Sequence, residues 1–437
     1  MRVPSEIKIS TRRHFLSSVC ASAAGMALLP RLAQAGLERF AQEAEQWHRL
    51  GDATAFWRLV RQQYILRSDL IMLNAANLSP ASRPVLETLE AIGRSIDADP
   101  SFTNREHYEV LHDASRRALA HYLGADVDEI AITRNTSESN NIVVTGLTLG
   151  VGDEVVLWEQ NHPSNNVAWD VRAARYGFTV KRVSTPADPT SVDDLLAPFA
   201  NALSPRSRVL AITHVGNESG VMLPVERLCR MARGAGLLTL VDGAQSFGAL
   251  HVDVHRMGCD FYTGSCHKWL GGPKEAGVLF VRRAHHNTVW PAVVSTDWRE
   301  EKHQGARKFT SFGQRNDATL AAVGMAIDFH GAIGQDRIEA RVRALAAATK
   351  ETLRATFPNV VMRTPQAAEL SAGIVCFNVP GTTLDMDKAH YRMYAEHQVA
   401  CDSWADELPG MRFCTNIYNT PEDVQRAVAA LQKLLES

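Results

Sequence analysis

Seven short apolar segments alternate with longer segments that mix polar and apolar positions between residues 125 and 285. Each apolar segment is four to six residues long, which is the usual length of a buried strand. The predicted strands are 129–133, 154–158, 178–183, 208–213, 237–241, 261–264 and 276–281. Alternating strands and helices are typical of a mainly parallel sheet covered on both faces. The pattern therefore predicts an α/β fold with a mainly parallel seven-stranded sheet.

The flanking residues predict helices and a second, smaller unit. Residues 36–66 are predicted to be helical, because apolar residues recur near helical spacing at Leu37, Phe40, Trp47, Leu50, Phe56, Leu59 and Val60. An alanine-rich helical region spans about 318–357, followed by a strand at 373–379, a helix near 384–397, a strand at 398–401 and a final helix from Pro421. We predict an N-terminal helical segment (36–75), a large domain (76–315) and a smaller C-terminal α/β domain (316–437).

The first 35 residues have the pattern of a targeting segment. Arg12-Arg13 precedes an apolar stretch of small residues that runs through Leu29, and Ala33-Gln34-Ala35 offers a signal-peptidase site. A membrane anchor is disfavoured because the apolar run is too short to span a bilayer. The segment 1–35 is therefore predicted to be a twin-arginine signal peptide, cleaved after Ala35, which uses the twin-arginine translocation machinery. The expected location is the periplasm.

Composition excludes several other classes of protein. The 46 basic and 48 acidic residues give a formal net charge of −2 at pH 7, and no basic patch indicates binding to nucleic acid. No metal motif is present. Six cysteines beyond residue 35 show no paired spacing, and a protein that folds in a reducing compartment need not depend on disulfides. They are Cys229, Cys259, Cys266, Cys376, Cys401 and Cys414.

A carboxylate and a lysine follow two of the predicted strands. Asp242 directly follows the strand 237–241, and Lys268 lies shortly after the strand 261–264. This cofactor needs a lysine amine to bind its aldehyde covalently, and a carboxylate to keep its pyridine nitrogen protonated. The pair Asp242 and Lys268 therefore predicts a pyridoxal phosphate site.

Polar residues follow other predicted strands at equivalent positions. Thr136 and Ser137 open a predicted helix, where hydroxyls and free N–H groups favour an anion such as the phosphate, although an ordinary N-cap is the alternative. His162 and Asn217 follow two further strands and could equally be a loop histidine and a turn residue. Open α/β sheets bind ligands at the carboxyl ends of their strands, which favours ligand contact for the whole set.

From Leu73-Asn74-Ala75-Ala76 to Tyr418-Asn419-Thr420-Pro421-Glu422 the chain resembles the class V aminotransferase family of pyridoxal phosphate enzymes. This family includes cysteine desulfurases and isopenicillin N epimerase-like proteins. The resemblance implies the type I fold of pyridoxal phosphate-dependent transferases, and transaminase, epimerase or lyase chemistry on a small amino acid or peptide. It also implies a homodimer.

The resemblance implies a role for each matching residue. Lys268, Asp242 and His162 would be catalytic, with Lys268 bonded to the cofactor, Asp242 at the ring nitrogen and His162 stacked on the ring. Thr136, Ser137, Ser265 and His267 would bind the phosphate, and Asn217 and Gln245 would contact the ring hydroxyl. Asn74 and Arg412 would bind the substrate, with the planar guanidinium of Arg412 suited to a carboxylate.

Two positions depart from the family pattern. The segment that reaches the partner subunit's phosphate site in the family reads Phe312-Gly313-Gln314-Arg315 here, so Gln314, or else Arg315, would have to make that contact, with a solvated loop as the alternative. Cys401 stands where the family usually has a strand residue, and we interpret it as a buried apolar filler. Cysteine desulfuration is therefore disfavoured.

Exported members of the resembled family include an enzyme of periplasmic pyoverdine maturation that alters the siderophore's glutamyl side group. Together with the predicted signal peptide, the resemblance makes such a substrate the preferred expectation. The alternative is an epimerase or aminotransferase of another exported amino acid. A C–S lyase and a non-catalytic protein that binds pyridoxal phosphate are less favoured.

Overall fold

The computed structural model describes residues 31–405 and 409–436. The twin-arginine motif at Arg12-Arg13 lies outside the described residues. None of the helices in the described part of the chain is both long and apolar enough to cross a membrane.

The described chain begins with two helices rather than one. Helix α1 (Arg31–Leu50) ends at Gly51, which has a φ of 71°, and α2 (Ala53–Gln62) begins after Asp52, whose carboxylate accepts a hydrogen bond from the Ala55 N–H. This break places Leu50 at the end of α1, where it is 65% exposed. Leu37, Phe40, Phe56, Leu59 and Val60 are buried as the spacing indicates.

The predicted cleavage position lies inside α1. The helix continues through Ala35, and Ala33 is fully buried in its first turn. Cleavage after Ala35 would remove this turn, and it stays a prediction.

A short strand and two helices lead into the main sheet. They are β1 (Ile71–Met72), α3 (Arg83–Ala98) and α4 (Phe102–Leu123). Ser101 caps α4 through its side chain, and Gly124 ends this helix with a φ of 64°.

The central sheet has seven strands in the order β2-β8-β7-β6-β5-β3-β4. The strands are β2 (Ile130–Thr133), β3 (Glu154–Trp158), β4 (Thr179–Val183), β5 (Ser207–Thr213), β6 (Leu238–Asp242), β7 (Phe261–Ser265) and β8 (Gly277–Val281). Only β8 runs antiparallel to its two neighbours. The prediction of a mainly parallel seven-stranded sheet is confirmed.

Helices cover both faces of this sheet. They are α5 (Thr136–Gly146), α6 (Pro163–Tyr176), α7 (Val192–Ala202), α8 (Val225–Gly234) and the short α9 (Val254–Met257). Successive strand residues point to opposite faces, so Val155 and Leu157 pack in one core cluster while Val156 and Trp158 pack in the other. Burial on both faces explains why inner strands such as β3 are continuous apolar runs, whereas the edge strand β4 carries Lys181 and Arg182.

The remaining elements include a second, smaller sheet. They are α10 (Trp298–Glu301), α11 (Asp317–Ile333), α12 (Gln335–Thr356), β9 (Val361–Met362), β10 (Ile374–Asn378), α13 (Met386–His397), β11 (Val399–Ala400), β12 (Asp402–Trp404), β13 (Gly410–Cys414) and α14 (Pro421–Glu436). An antiparallel sheet has the order β12-β13-β10-β9, and β1 pairs with β11 in parallel.

The predicted helical region 318–357 is two helices. Gly334, with a φ of 98°, separates α11 from α12. Helix α11 packs against α3 and α4, whereas α12 packs against α14 and β10. The domain boundary at residue 316 stays a prediction. Helix α11, which follows this boundary, packs against α3 and α4, which precede the large sheet in the chain.

Candidate active site

The carboxyl ends of the parallel strands border a cavity of about 280 Å³. Nine of the ten predicted cofactor residues line this cavity: Thr136, Ser137, His162, Asn217, Asp242, Gln245, Ser265, His267 and Lys268. Four lining residues with side-chain hydrogen-bonding groups were not predicted: Asn77, Asn135, Ser164 and Thr213. Each predicted residue follows a strand of the same sheet or lies on the adjoining loop, which is why they converge.

Asp242 ends β6 and is 2% exposed. Its Oδ2 accepts a hydrogen bond from Asn140 Nδ2 at 2.8 Å, and its Oδ1 accepts one from the Ala244 N–H at 3.0 Å. Asn140 is oriented in turn, because its Oδ1 accepts from Thr263 Oγ1 at 2.9 Å. These bonds fix a buried carboxylate in one orientation.

Asn140 is a site residue that the sequence analysis missed. It stands four residues after Thr136 in α5, and residues at this spacing share one face of a helix. The spacing of four residues from Thr136 could therefore have indicated that Asn140 also lies near the cofactor site.

Lys268 lies on the loop after β7 and lines the cavity. Burial away from water is the main cause that lowers its pKa to about 8, with Arg412 acting in the same direction and the Asp242 carboxylate opposing them. A lysine needs to lose a proton before its amine can attack an aldehyde, so a lowered pKa makes Lys268 more reactive near neutral pH.

His162 lies at the N-terminus of α6, where it is the N-cap residue. Its Nδ1 accepts a hydrogen bond from the Ser164 N–H at 3.2 Å, and the Ser164 hydroxyl is 2.8 Å from the same nitrogen. Burial and the neighbouring Lys268 lower the pKa of His162. A neutral ring held in this way suits stacking on an aromatic cofactor.

The anion-binding end of the cavity lies at the N-terminus of α5. Ser265 Oγ lies 2.7 Å from Thr136 Oγ1 and accepts a hydrogen bond from the Thr136 N–H at 2.8 Å. Asn135 caps the helix through a 2.9 Å bond from the Glu138 N–H, so neither Thr136 nor Ser137 is the cap. Hydroxyls at the positive end of a helix dipole are suited to a phosphate.

The other predicted cofactor residues that border this cavity differ in burial and in their hydrogen bonds. Gln245 is buried, and its side chain accepts from Trp269 Nε1 at 2.8 Å and donates to the Ala76 carbonyl at 3.1 Å. Burial and the neighbouring Lys268 and Lys274 lower the pKa of His267 to about 4. Ser137 is exposed. Together the carboxylate, amine, imidazole and hydroxyls fit the ring nitrogen, aldehyde, ring and phosphate of pyridoxal phosphate.

The two predicted substrate residues lie together beside this cavity. Arg412, on β13, donates from Nη2 to Asn74 Oδ1 at 3.0 Å and from Nη1 to the Asn217 carbonyl at 2.9 Å. It also forms an ion pair with Asp402 on the neighbouring strand, with 2.5 Å between Nη2 and Oδ2. Asp402 was missed, because its position opposite Arg412 follows from the register of β12 and β13, which the sequence does not reveal.

Gln314 is the predicted cofactor residue that does not reach the cavity of its own chain. It is exposed, and its Nε2 donates to the Arg315 carbonyl at 2.7 Å. The Arg315 guanidinium donates to the carbonyls of Ile132 and Thr133 on β2, so it is engaged within its own subunit. Contact between Gln314 and a partner's cofactor stays a prediction.

Cys401 has the buried position that we expected of an apolar filler. It is 7% exposed, and burial raises the pKa of its thiol. A buried thiol with a raised pKa is a poor nucleophile.

Comparisons with known proteins agree with this site. The family model for class V aminotransferases matches residues 76–427. Isopenicillin N epimerase from Amycolatopsis lactamdurans is 31% identical over 400 residues, which cover 87% of this chain and 99% of the epimerase. A probable cysteine desulfurase from Halalkalibacterium halodurans is 28% identical over 410 residues, covering 86% and 96% of the two chains.

Solved structures share the fold. A C-DES variant with glycine covalently linked to its pyridoxal phosphate cofactor has a TM-score of 0.78 at 23% identity, over 85% of this chain and 98% of that chain. The cysteine desulfurase CsdA from Escherichia coli has a TM-score of 0.74 at 24% identity, over 87% and 98%.

The chain belongs to the class V aminotransferase family. It is an enzyme that depends on pyridoxal phosphate, and it is related to isopenicillin N epimerases and cysteine desulfurases.

Proposed function

We propose that the enzyme acts on the amino group of an amino acid, or of an amino acid at the end of a peptide. The observation that carries this proposal is that Lys268 and Asp242 line one cavity, while Arg412 lies beside it and donates to the carbonyl of the lining residue Asn217. When bound there, pyridoxal phosphate would withdraw electrons from a bond to the substrate's Cα. The reaction therefore needs a base, a counter-charge for the ring and a group that orients the substrate.

The residues of the site supply these three functions. Lys268 would hold the cofactor, and its Nζ would take up and return the proton at Cα. The carboxylate of Asp242, held by Asn140, would face the ring nitrogen and stabilise positive charge there. Arg412, next to the cavity-lining Asn217, would orient the substrate through its guanidinium.

We propose further that the substrate is an exported amino acid or peptide, and in particular the glutamyl side group of a pyoverdine-type siderophore. Two features support this: Arg12-Arg13 ahead of a short apolar stretch, and an arginine at the site for the carboxylate that a terminal glutamyl group retains. A pyridoxal phosphate enzyme acquires its cofactor on folding in the cytoplasm, which suits export in the folded state.

Purified holoenzyme and a siderophore with an intact glutamyl group test the substrate. We expect a change in the mass of the siderophore that requires Lys268, together with a change in the visible absorbance of the cofactor. A siderophore of unchanged mass, combined with turnover of free amino acids, would reject the siderophore and retain the enzyme class.

The second candidate is an epimerase or aminotransferase of another amino acid. The 31% identity to an isopenicillin N epimerase favours it. Incubation with single enantiomers in D₂O separates the reactions, because an epimerase yields the opposite enantiomer with deuterium at Cα whereas an aminotransferase yields a 2-oxo acid. The burial of Cys401 gives no support to cysteine desulfuration.

Export and dimerisation are separate parts of the proposal. Replacing Arg12 and Arg13 with lysine should retain the protein in the cytoplasm with its signal uncleaved, and undiminished periplasmic protein would contradict twin-arginine export.

For the homodimer, Gln314→Ala should weaken cofactor binding without changing the monomer fold. An active monomer in sedimentation would reject a shared site.

A further inference from the structure

Arg412 has few hydrogen-bond donors left for a substrate. A guanidinium has five N–H donors in a planar fork. Both hydrogens on Nη2 are engaged, one by Asn74 Oδ1 at 3.0 Å and the other by Asp402 Oδ2 at 2.5 Å. One hydrogen on Nη1 is engaged by the Asn217 carbonyl at 2.9 Å. The remaining donors are the second hydrogen on Nη1 and the Nε–H, which is buried and has no acceptor among the described residues.

The engaged nitrogen is the one that a carboxylate needs most. A carboxylate binds a guanidinium through two parallel hydrogen bonds, either to Nε and Nη2 or to Nη1 and Nη2. Both arrangements require a hydrogen on Nη2. The carboxylate of a substrate therefore cannot form a two-point contact with Arg412 unless Asn74 or Asp402 releases it.

Of the two, Asp402 is the ligand that can be displaced by another carboxylate. It offers Arg412 the same charge and the same oxygen atoms as a substrate would, and 36% of its side chain is exposed, whereas that of Arg412 is 7% exposed. Its other oxygen accepts from the Ser403 N–H at 3.1 Å, so the side chain keeps one local contact when the ion pair opens. The strand register places Asp402 directly opposite Arg412 and keeps it within reach.

We infer that Asp402 is a specificity-determining residue that competes with the substrate's carboxylate for Nη2 of Arg412. The inference rests on the proposed function, since it concerns binding of an amino compound at that site. A free α-carboxylate has to displace Asp402 and gives up part of its binding energy in doing so. An amino compound with a carboxamide in place of the carboxylate competes much less with Asp402 for Nη2 of Arg412.

Two matched pairs of ligands test the inference on the holoenzyme. The pairs are L-alanine with L-alaninamide, and L-glutamate with L-isoglutamine, and in each pair the α-carboxylate is replaced by a carboxamide. The dissociation constants are measured from the visible absorbance of the cofactor, or by equilibrium dialysis with labelled ligand where absorbance does not change. In Asp402→Asn we expect the carboxylates to bind on the order of tenfold tighter, and the carboxamides to change about twofold or less.

A matched control separates direct competition from the general effect of a negative charge. Glu218 also interacts electrostatically with Arg412 but forms no hydrogen bond with it among the described contacts. Glu218→Gln should therefore shift the ratio of carboxylate to carboxamide affinity by about threefold or less. Asp402→Ala should reproduce the change of ratio seen in Asp402→Asn.

The possible outcomes differ in what they reject. If Asp402→Asn leaves the ratio of the two affinities unchanged, or changes both affinities equally, Asp402 has only a structural role and the inference is overturned. If the wild-type holoenzyme binds none of the four compounds by either method, the inference is overturned, whereas the siderophore substrate of the proposed function is decided separately by the mass of the siderophore.

Discussion

The two sides of the cavity hold their charges in different ways. On the cofactor side, Asp242 is a buried carboxylate whose hydrogen-bond donors within the described part of the chain, Asn140 and the Ala244 N–H, are both neutral, so its charge remains available to a ligand. On the substrate side, Arg412 is a buried guanidinium already paired with a carboxylate of its own chain. The cofactor side is thus preorganised, whereas the substrate side has to exchange one partner for another.

The largest effect that would test this comparison is expected at Lys268. Lys268→Ala removes the covalent attachment and the base, so turnover should fall by about three orders of magnitude or more. Borohydride reduction followed by peptide mass spectrometry should locate the cofactor on Lys268 in the wild type and on no lysine in the variant. Lys274→Ala is the control, because Lys274 is exposed on the same loop and lies outside the cavity. Cofactor found on Lys274 would contradict the assignment.

The next effect concerns the charge of Asp242. Asp242→Asn should lower kcat about a hundredfold with the cofactor still bound, because an amide does not stabilise a protonated ring nitrogen. Asn140→Leu keeps the carboxylate but removes one of its two donors, and should cost about tenfold. Equal turnover in Asp242→Asn and the wild type, at equal cofactor occupancy, would show that the ring nitrogen has another partner.

The pH dependence of cofactor attachment to Lys268 compares the effects of Asp242 and Arg412 on the pKa of this lysine. In cofactor-free protein the rate of covalent cofactor attachment should rise with pH to a midpoint near the lowered pKa of about 8, since only the neutral amine reacts. Asp242 raises the pKa of Lys268 and Arg412 lowers it, so Asp242→Asn should move the midpoint down and Arg412→Ala should move it up. Stopped-flow absorbance measures the rate. Shifts in the same direction would contradict the opposed effects of the two residues.

The smallest effect is expected at the anion-binding end. Thr136→Val removes one hydroxyl that faces Ser265, and should weaken cofactor binding by about fivefold because a single hydrogen bond is lost while the helix N-terminus remains. The dissociation constant comes from titration of cofactor-free protein with pyridoxal phosphate. Ser137→Ala is the companion variant, with a smaller loss expected since Ser137 is exposed. A larger loss in Ser137→Ala would reverse the order of the two residues.

The sequence indicated that the cofactor residues converge but did not indicate the ion pair on the substrate side, for a physical reason. Asp242, His162 and Asn217 each follow an apolar strand, and strands of a parallel sheet end at one edge, so local pattern alone indicates that they converge. The ion pair of Asp402 and Arg412 arises from the register of two antiparallel strands, and hydrophobic pattern does not specify that register on short strands.

Breaks inside helical stretches were the other feature that the pattern did not predict. Gly51 and Gly334 each adopt a positive φ and divide a predicted helical region in two. Apolar spacing continues across both positions closely enough to suggest one helical stretch, although glycine is the residue that ends helices in this conformation. The two glycines were therefore the feature of the sequence that could have indicated these helix breaks.

The burial of the cysteines has a consequence for the chemical durability of the fold. All six cysteines in the described part of the chain are buried and unpaired. Burial raises the pKa of Cys229 and Cys266 to about 12 and that of Cys414 to about 11, so almost none of these thiols is ionised at neutral pH. Oxidants and disulfides react with thiolates that they can reach. Folded protein should therefore pass between reducing and oxidising surroundings with these six side chains chemically unchanged.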